Sequence, residues 1–123
     1  MNKYIQIKNQ DKIVIYKLNH SRAARDLLNL LPLNQKVENY AHNEKITYLP
    51  KTIKTQDTPL ARGGIKTLAY FEPWHNLVFY YNDFGPYPGL YELGQLVKGQ
   101  ENIKKLSGMI EISEYHEETS IEI

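Results

Sequence analysis

Along most of the chain, apolar residues return at every second position, the spacing of a strand whose side chains alternate between two faces. From Asn2 to Lys8, Ile5 and Ile7 share one face, and Tyr4 and Gln6 the other. Asn9-Gln10-Asp11 then turns the chain into Lys12-Ile13-Val14-Ile15-Tyr16, whose β-branched side chains suit a second strand, antiparallel to the first. At Ser21 the period changes. Ala24, Leu27, Leu28 and Leu31 fall at i, i+3, i+4 and i+7, with Arg22, Arg25, Asp26 and Asn29 opposite, so the spacing predicts one amphipathic helix from Arg22 to Leu31. Asn19 or Ser21 can cap its free amides, Pro32 stops it, and Leu27, Leu28 and Leu31 are expected to pack inward.

Alternation resumes in Gln35 to Tyr40 and Lys45 to Leu49, joined by Ala41-His42-Asn43-Glu44 and ended by Pro50, with Ile46 and Tyr48 on one face. Lys51 to Gly64 is polar and aperiodic, and reads as a long surface loop of the kind that often carries function. The stretch from Leu68 to Gly99 holds the single Trp and all three Phe. In it, Leu68 to Phe71, Leu77 to Tyr81 and Tyr91 to Val97 predict a β-meander that supplies most of the core, with Trp74-His75 in its first connection. Both parities of the middle run are apolar: Leu77, Phe79 and Tyr81 share one face, Val78 and Tyr80 the other. One core cannot cover both, so a loop, a helix, a partner or a ligand must cover the second. Gln100 to Leu106 suits a short helix with Ile103 and Leu106 inward, Met109 to Tyr115 a last strand, and Glu117-Glu118-Thr119-Ser120 an acidic tail.

Length and charge narrow the classes. A chain of 123 residues suits one domain spanning 1–123, and 15 basic against 14 acidic residues give no general pull toward nucleic acid or an anionic membrane. There is no Cys, which excludes disulfides and thiolate chemistry. With no signal-peptide pattern at the start and no segment long enough to span a bilayer, a soluble cytoplasmic protein is expected.

Three stretches, in order, resemble cyclophilins. Lys12 to Leu18 followed by the helix from Arg22 is similar to the opening strand and first helix of that family, and Leu93-Gly94-Gln95-Leu96-Val97-Lys98-Gly99-Gln100-Glu101-Asn102-Ile103 to its glycine-containing strand and following helix. Glu72-Pro73-Trp74 with Tyr80-Tyr81-Asn82-Asp83-Phe84-Gly85 resembles the small bacterial cyclophilin-like proteins, a family of mostly unassigned function. The resemblance implies a mainly β fold: a closed antiparallel cyclophilin-like barrel with one long and one short helix covering the open ends. It also implies prolyl isomerase as the natural activity and a flavodoxin-like protein as a partner. Cyclophilins carry an arginine that bonds the substrate prolyl carbonyl; at the comparable place, in Lys45-Ile46-Thr47-Tyr48-Leu49-Pro50, this chain has Thr47, a neutral hydroxyl.

No residue forms a catalytic constellation. His20, His42, His75 and His116 are scattered without metal-ligand spacing, and no dinucleotide fingerprint is present, so neither metal nor cofactor is expected. Trp74 either stacks on a ligand or plugs a barrel end. Asp83 is either a general base or an Asx residue closing a turn on its own backbone. Arg62-Gly63-Gly64 offers a guanidinium beside flexible backbone, an anion clamp without the Lys-Ser/Thr of a P-loop. The expected function is a non-catalytic peptide or small-molecule binding domain, with weak isomerase activity or service to a flavodoxin-like partner as alternatives. The expected site lies between the Lys51 to Gly64 loop and the barrel wall, with Tyr48, Tyr70, Trp74 and Tyr80 as floor or rim and Arg62 as the charged contact.

Overall fold

The computed structural model describes residues 2–116, so the acidic tail from Glu117 lies outside the described residues. The strands are β1 (Lys3–Asn9), β2 (Lys12–Leu18), β3 (Leu33–Tyr40), β4 (Glu44–Tyr48), β5 (Thr67–Phe71), β6 (Asn76–Tyr80), β7 (Leu90–Lys98) and β8 (Gly108–Tyr115). Helix α1 spans Arg22–Leu30 and α2 Gln100–Ile103, and a single 3-10 turn, Glu72–Trp74, joins β5 to β6. The strands close in the order β1-β2-β7-β5-β6-β4-β3-β8, with β8 pairing back onto β1 and every pair antiparallel. The expected mainly β closed barrel, with one longer and one shorter helix, is the observed architecture. Helix α1 follows the end of β2 and α2 the end of β7; these neighbours run antiparallel, so the helices sit at opposite ends of the barrel.

Closure depends on β7. Its pairing slips by one residue against β2 and by one against β5, and such extra residues bend and twist a strand. At Gly94 a Cβ would lie 2.3 Å from the Lys17 carbonyl oxygen, so only glycine lets β2 approach this closely. The interior is filled by Ile5, Ile7, Tyr16, Leu68, Leu77 and Phe79, all fully buried, with Ile103 and Leu106 turned inward as their spacing predicts.

Three expectations change. The runs of β5, β6 and β7 do not form a meander, because β7 pairs with β5 and not with its chain neighbour β6, which pairs with β4 instead. Ser21 caps α1, its Oγ accepting the Ala24 N–H at 3.2 Å, while Asn19 supports the cap by accepting the Ser21 N–H. The buried face, however, is Ala23, Ala24 and Leu27, whereas Leu28 and Leu31 are only partly buried. The two alanines are small enough for the helix backbone to sit close against the barrel, which rotates the leucine stripe partly out. Residues 51–64 are also not a plain surface loop. Ile53 and Ala61 are buried, Leu60 bridges to Tyr91, the Ala61 N–H donates to the Leu90 carbonyl and the Glu92 N–H to that of Pro59. Part of the segment therefore lies along β7 as a rudimentary strand.

Leu27→Ala is expected to lower unfolding free energy by about 2–5 kcal/mol, the range for deleting a buried leucine. Leu28→Ala should cost clearly less in the same urea titrations. Equal losses would contradict this orientation of α1.

Candidate functional site

Register decides which face of each strand looks outward. With Leu68, Tyr70, Leu77 and Phe79 inside, the outer wall carries Ala69 and Phe71 on β5, opposite Val78 and Asn76 on β6. On β4 it carries Ile46, opposite Val78, and Glu44, opposite Tyr80. Ile46, Ala61, Ala69, Val78, Tyr80 and Leu90 form a second buried cluster, distinct from the barrel interior, with Phe71 and Phe84 packed on it. The two-faced apolar pattern of β6 thus builds one core inside the barrel and another outside.

The segment between β6 and β7 covers part of this outer cluster. Phe84 stacks on Tyr80 with ring centroids 3.8 Å apart and planes at 8°. The fold-back is held by Asp83, whose Oδ1 accepts the Gly64 N–H at 2.7 Å and the Phe84 N–H at 2.8 Å. Those two bonds hold its carboxyl below the ordinary carboxylate range. Asp83 therefore closes an Asx-type turn on its own backbone and clamps it to Gly64. The same contact occupies the Gly64 amide of the Arg62-Gly63-Gly64 stretch with a carboxylate from within the chain.

Where the cover stops, a groove of ≈ 310 Å³ opens on the wall. Its floor is Asn76, Val78, Tyr80 and Leu90, all buried, and Phe84 and Gly85 form one side. The rim is aromatic. Trp74 meets Tyr40 at 5.3 Å and 84° and Phe71 at 5.4 Å and 80°, and Phe71 meets Tyr87 at 5.8 Å and 59°. His75 follows Trp74 in the left-handed conformation, φ 56°, turning the chain from the 3-10 turn into β6 and leaving the indole on the wall. Trp74 therefore does not plug a barrel end.

Glu44 is the single charged side chain that lines the groove. Burial pushes its carboxyl up to about 7, and burial, with a smaller contribution from the Glu44 charge, raises the Tyr80 hydroxyl above the ordinary phenol range. The Asn76 amide oxygen is buried without a donor. No arginine, lysine or histidine lines this space. A larger, polar depression of ≈ 790 Å³ lies beside α1, lined in part by Lys3, Arg22, Asp26 and Glu114. Arg22 pairs with Asp26 at 3.1 Å and Lys3 with Glu114 at 3.5 Å, and Arg25 donates to the His20 carbonyl at 2.9 Å, so most of its polar groups are engaged within the chain and the aromatic groove is the better candidate.

Of the five residues expected at a site, the structure brings two together, Trp74 and Tyr80. Tyr70 is fully buried inside the barrel, where its hydroxyl accepts the Ile53 N–H at 3.4 Å. Tyr48 ends β4 half-exposed and Arg62 is exposed, and neither lines the groove. The expected cover by residues 51–64 is limited to Ala61; the groove is bounded instead by the segment after β6. Thr47 is buried on the inner face of β4, its hydroxyl donating to the Lys36 carbonyl at 2.9 Å, so it faces away from the groove. Tyr40, Glu44, Phe71, Asn76, Phe84 and Tyr87 were not singled out by the sequence. The one signal that leads to them is the double-sided apolar run of β6, followed through register to its neighbours.

A model of the cyclophilin-like family matches residues 5–114. The chain belongs to the cyclophilin-like family. No curated protein matches it. In this cyclophilin-like chain no three potential metal-ligating side chains converge among the described residues, and no described helix is long and apolar enough to cross a membrane.

Glu44 generates a pH dependence. Its folded value near 7 lies above the ordinary 4.5, so the unfolded chain loses this proton first as pH rises. The resulting loss of stability is absent below the ordinary value and grows until pH passes the folded value. Glu44→Gln should match the wild type in unfolding free energy near pH 4, and exceed it increasingly up to about pH 7. A difference that does not change with pH would contradict the half-buried, unpaired setting of this carboxyl.

Proposed function

We propose that this cyclophilin-like domain is a recognition module that holds a peptide or small-molecule ligand in the outer-wall groove and does not turn it over. The observation that carries the reading is the open aromatic rim, with Tyr40 44%, Trp74 43% and Tyr87 63% exposed beside a buried apolar floor. Rigid aromatic rings supply contact area at low entropic cost, and a space of this size falls at the lower end of ligand pockets, roughly 300–1,000 Å³. It suits one side chain or a compact small molecule.

Weak prolyl isomerase activity is the alternative. Favouring a twisted prolyl amide calls for a strong donor at its carbonyl oxygen, and no cationic side chain lines the groove to provide one.

Trp74 is the chain's single tryptophan, so its fluorescence reports directly on the rim. Titration with a proline-containing peptide library is expected to change that fluorescence. Binding, read by calorimetry, should weaken by about tenfold or more in Trp74→Ala, as for a central aromatic contact. In a prolyl peptide assay the rate should stay at the uncatalysed level. Robust turnover by the folded protein, or binding indifferent to the Trp74 substitution, would overturn the reading.

A further inference from the structure

We infer that the ligand selected here is an organic cation, a small alkylated ammonium compound held against the aromatic rim of Tyr40, Phe71 and Trp74 with Glu44 as its counter-charge. This rests on the groove being a binding site and names the chemistry that it selects. Three observations converge on it.

The first is the shape of the rim. Trp74 stands almost perpendicular to both Tyr40 and Phe71, at 84° and 80°, so neighbouring rings form angled walls and not a flat stack. At 5.3 and 5.4 Å these are edge-to-face contacts, and aromatic faces carry the negative side of the ring quadrupole, so the faces left open along the rim attract a cation. Tyr40 and Trp74 remain exposed and Phe71 half-buried, so these surfaces are open to a ligand.

The second is charge. Glu44 lines the groove and makes no ion pair among the described residues, and no basic side chain lines the groove with it. Tyr40, Tyr80 and Tyr87 are the other titratable groups there. Held in a half-buried setting, the carboxylate is costly without a counter-ion. A bound cation offsets that cost, whereas an anion would be repelled.

The third is the stock of hydrogen-bonding groups. The acceptors that line the groove are the Glu44 carboxylate, the hydroxyls of Tyr40, Tyr80 and Tyr87, and the buried Asn76 amide oxygen, which has no donor. A primary ammonium must place three N–H donors. An alkylated ammonium needs none, and its methyl groups pack on the rings. The aromatic rim therefore favours an alkylated nitrogen, whose methyl groups gain contact on Tyr40, Phe71 and Trp74 that bare N–H groups do not.

Calorimetry on the full chain with three probes at matched ionic strength tests this: choline, its neutral carbon isostere 3,3-dimethylbutan-1-ol, and butylammonium. Choline is expected to bind about tenfold or more tightly than the neutral isostere. Glu44→Gln, a substitution of the same shape, should weaken choline about five- to tenfold and leave the isostere unchanged, and Trp74→Leu should weaken choline further. Equal binding of choline and the isostere would overturn the cation assignment and leave the groove standing as an apolar site. Butylammonium binding more tightly than choline would overturn the preference for an alkylated cation. Choline binding unaffected by either substitution would put the site elsewhere and overturn the inference. Absence of choline binding while peptides still perturb Trp74 would defeat the inference alone; absence of both would defeat the groove reading with it.

Discussion

A strand has two faces and a closed barrel has one interior, and β6 is apolar on both. Leu77 and Phe79 fill the barrel, while Val78 and Tyr80 point out of it and would lie bare in water. Covering them is the constraint from which the outer half of the molecule follows. Phe84 folds back onto Tyr80, Asp83 ties that fold-back to Gly64, and Ala61 is brought in by a segment laid along β7. This cover stops short of Trp74, Tyr40 and Tyr87. The groove is the uncovered remainder of a second core.

That outer wall has its shape because the barrel closes, and closure turns on two glycines near β7. A Cβ on Gly94 would strike the Lys17 carbonyl, and one on Gly99, at φ +95°, would lie 2.2 Å from that of Ile13. Without side chains there, β2 and β7 meet at backbone distance and β7 bends through its two register slips. The bend sets Leu90 opposite Phe71 and Glu92 opposite Ala69, which supplies one side of the outer cluster. The seam between β2 and β7 thus positions the site without contributing its aromatic rim. The stretch from Leu93 to Ile103 that resembles cyclophilins is this seam, so its glycines carry architecture.

Much of the fold was legible because it is local. Alternation locates the strands, the switch at Ser21 locates α1, and the two parities of Leu77 to Tyr81 separate inner from outer side chains correctly. Alternation does not say which parity faces the interior of a neighbouring strand, and that is why Tyr70 was expected beside Trp74 although it lies inside the barrel. Tyr48 shares the outer face of β4 with Ile46, as its spacing implies, but it stands opposite Asn76 at the strand's end, outside the groove. Arg62-Gly63-Gly64 read as an open anion clamp because its partner, Asp83, is nineteen residues away in sequence. Glu44 was illegible for the same reason: in the chain it is one polar residue of a turn, and only pairing with Tyr80 sets it against an aromatic wall.

The account's central claim is that this domain engages its ligand on the outer wall, at the edge of the second core. Amide and indole chemical-shift mapping of the folded chain, titrated with choline and with proline-containing peptides, tests it most directly. The account predicts the largest changes at the Trp74 indole N–H and at the amides of Tyr40, Glu44, Phe71, Tyr80 and Phe84. Changes clustered instead on β1, β2 and β8, or around the polar depression beside α1, would contradict it.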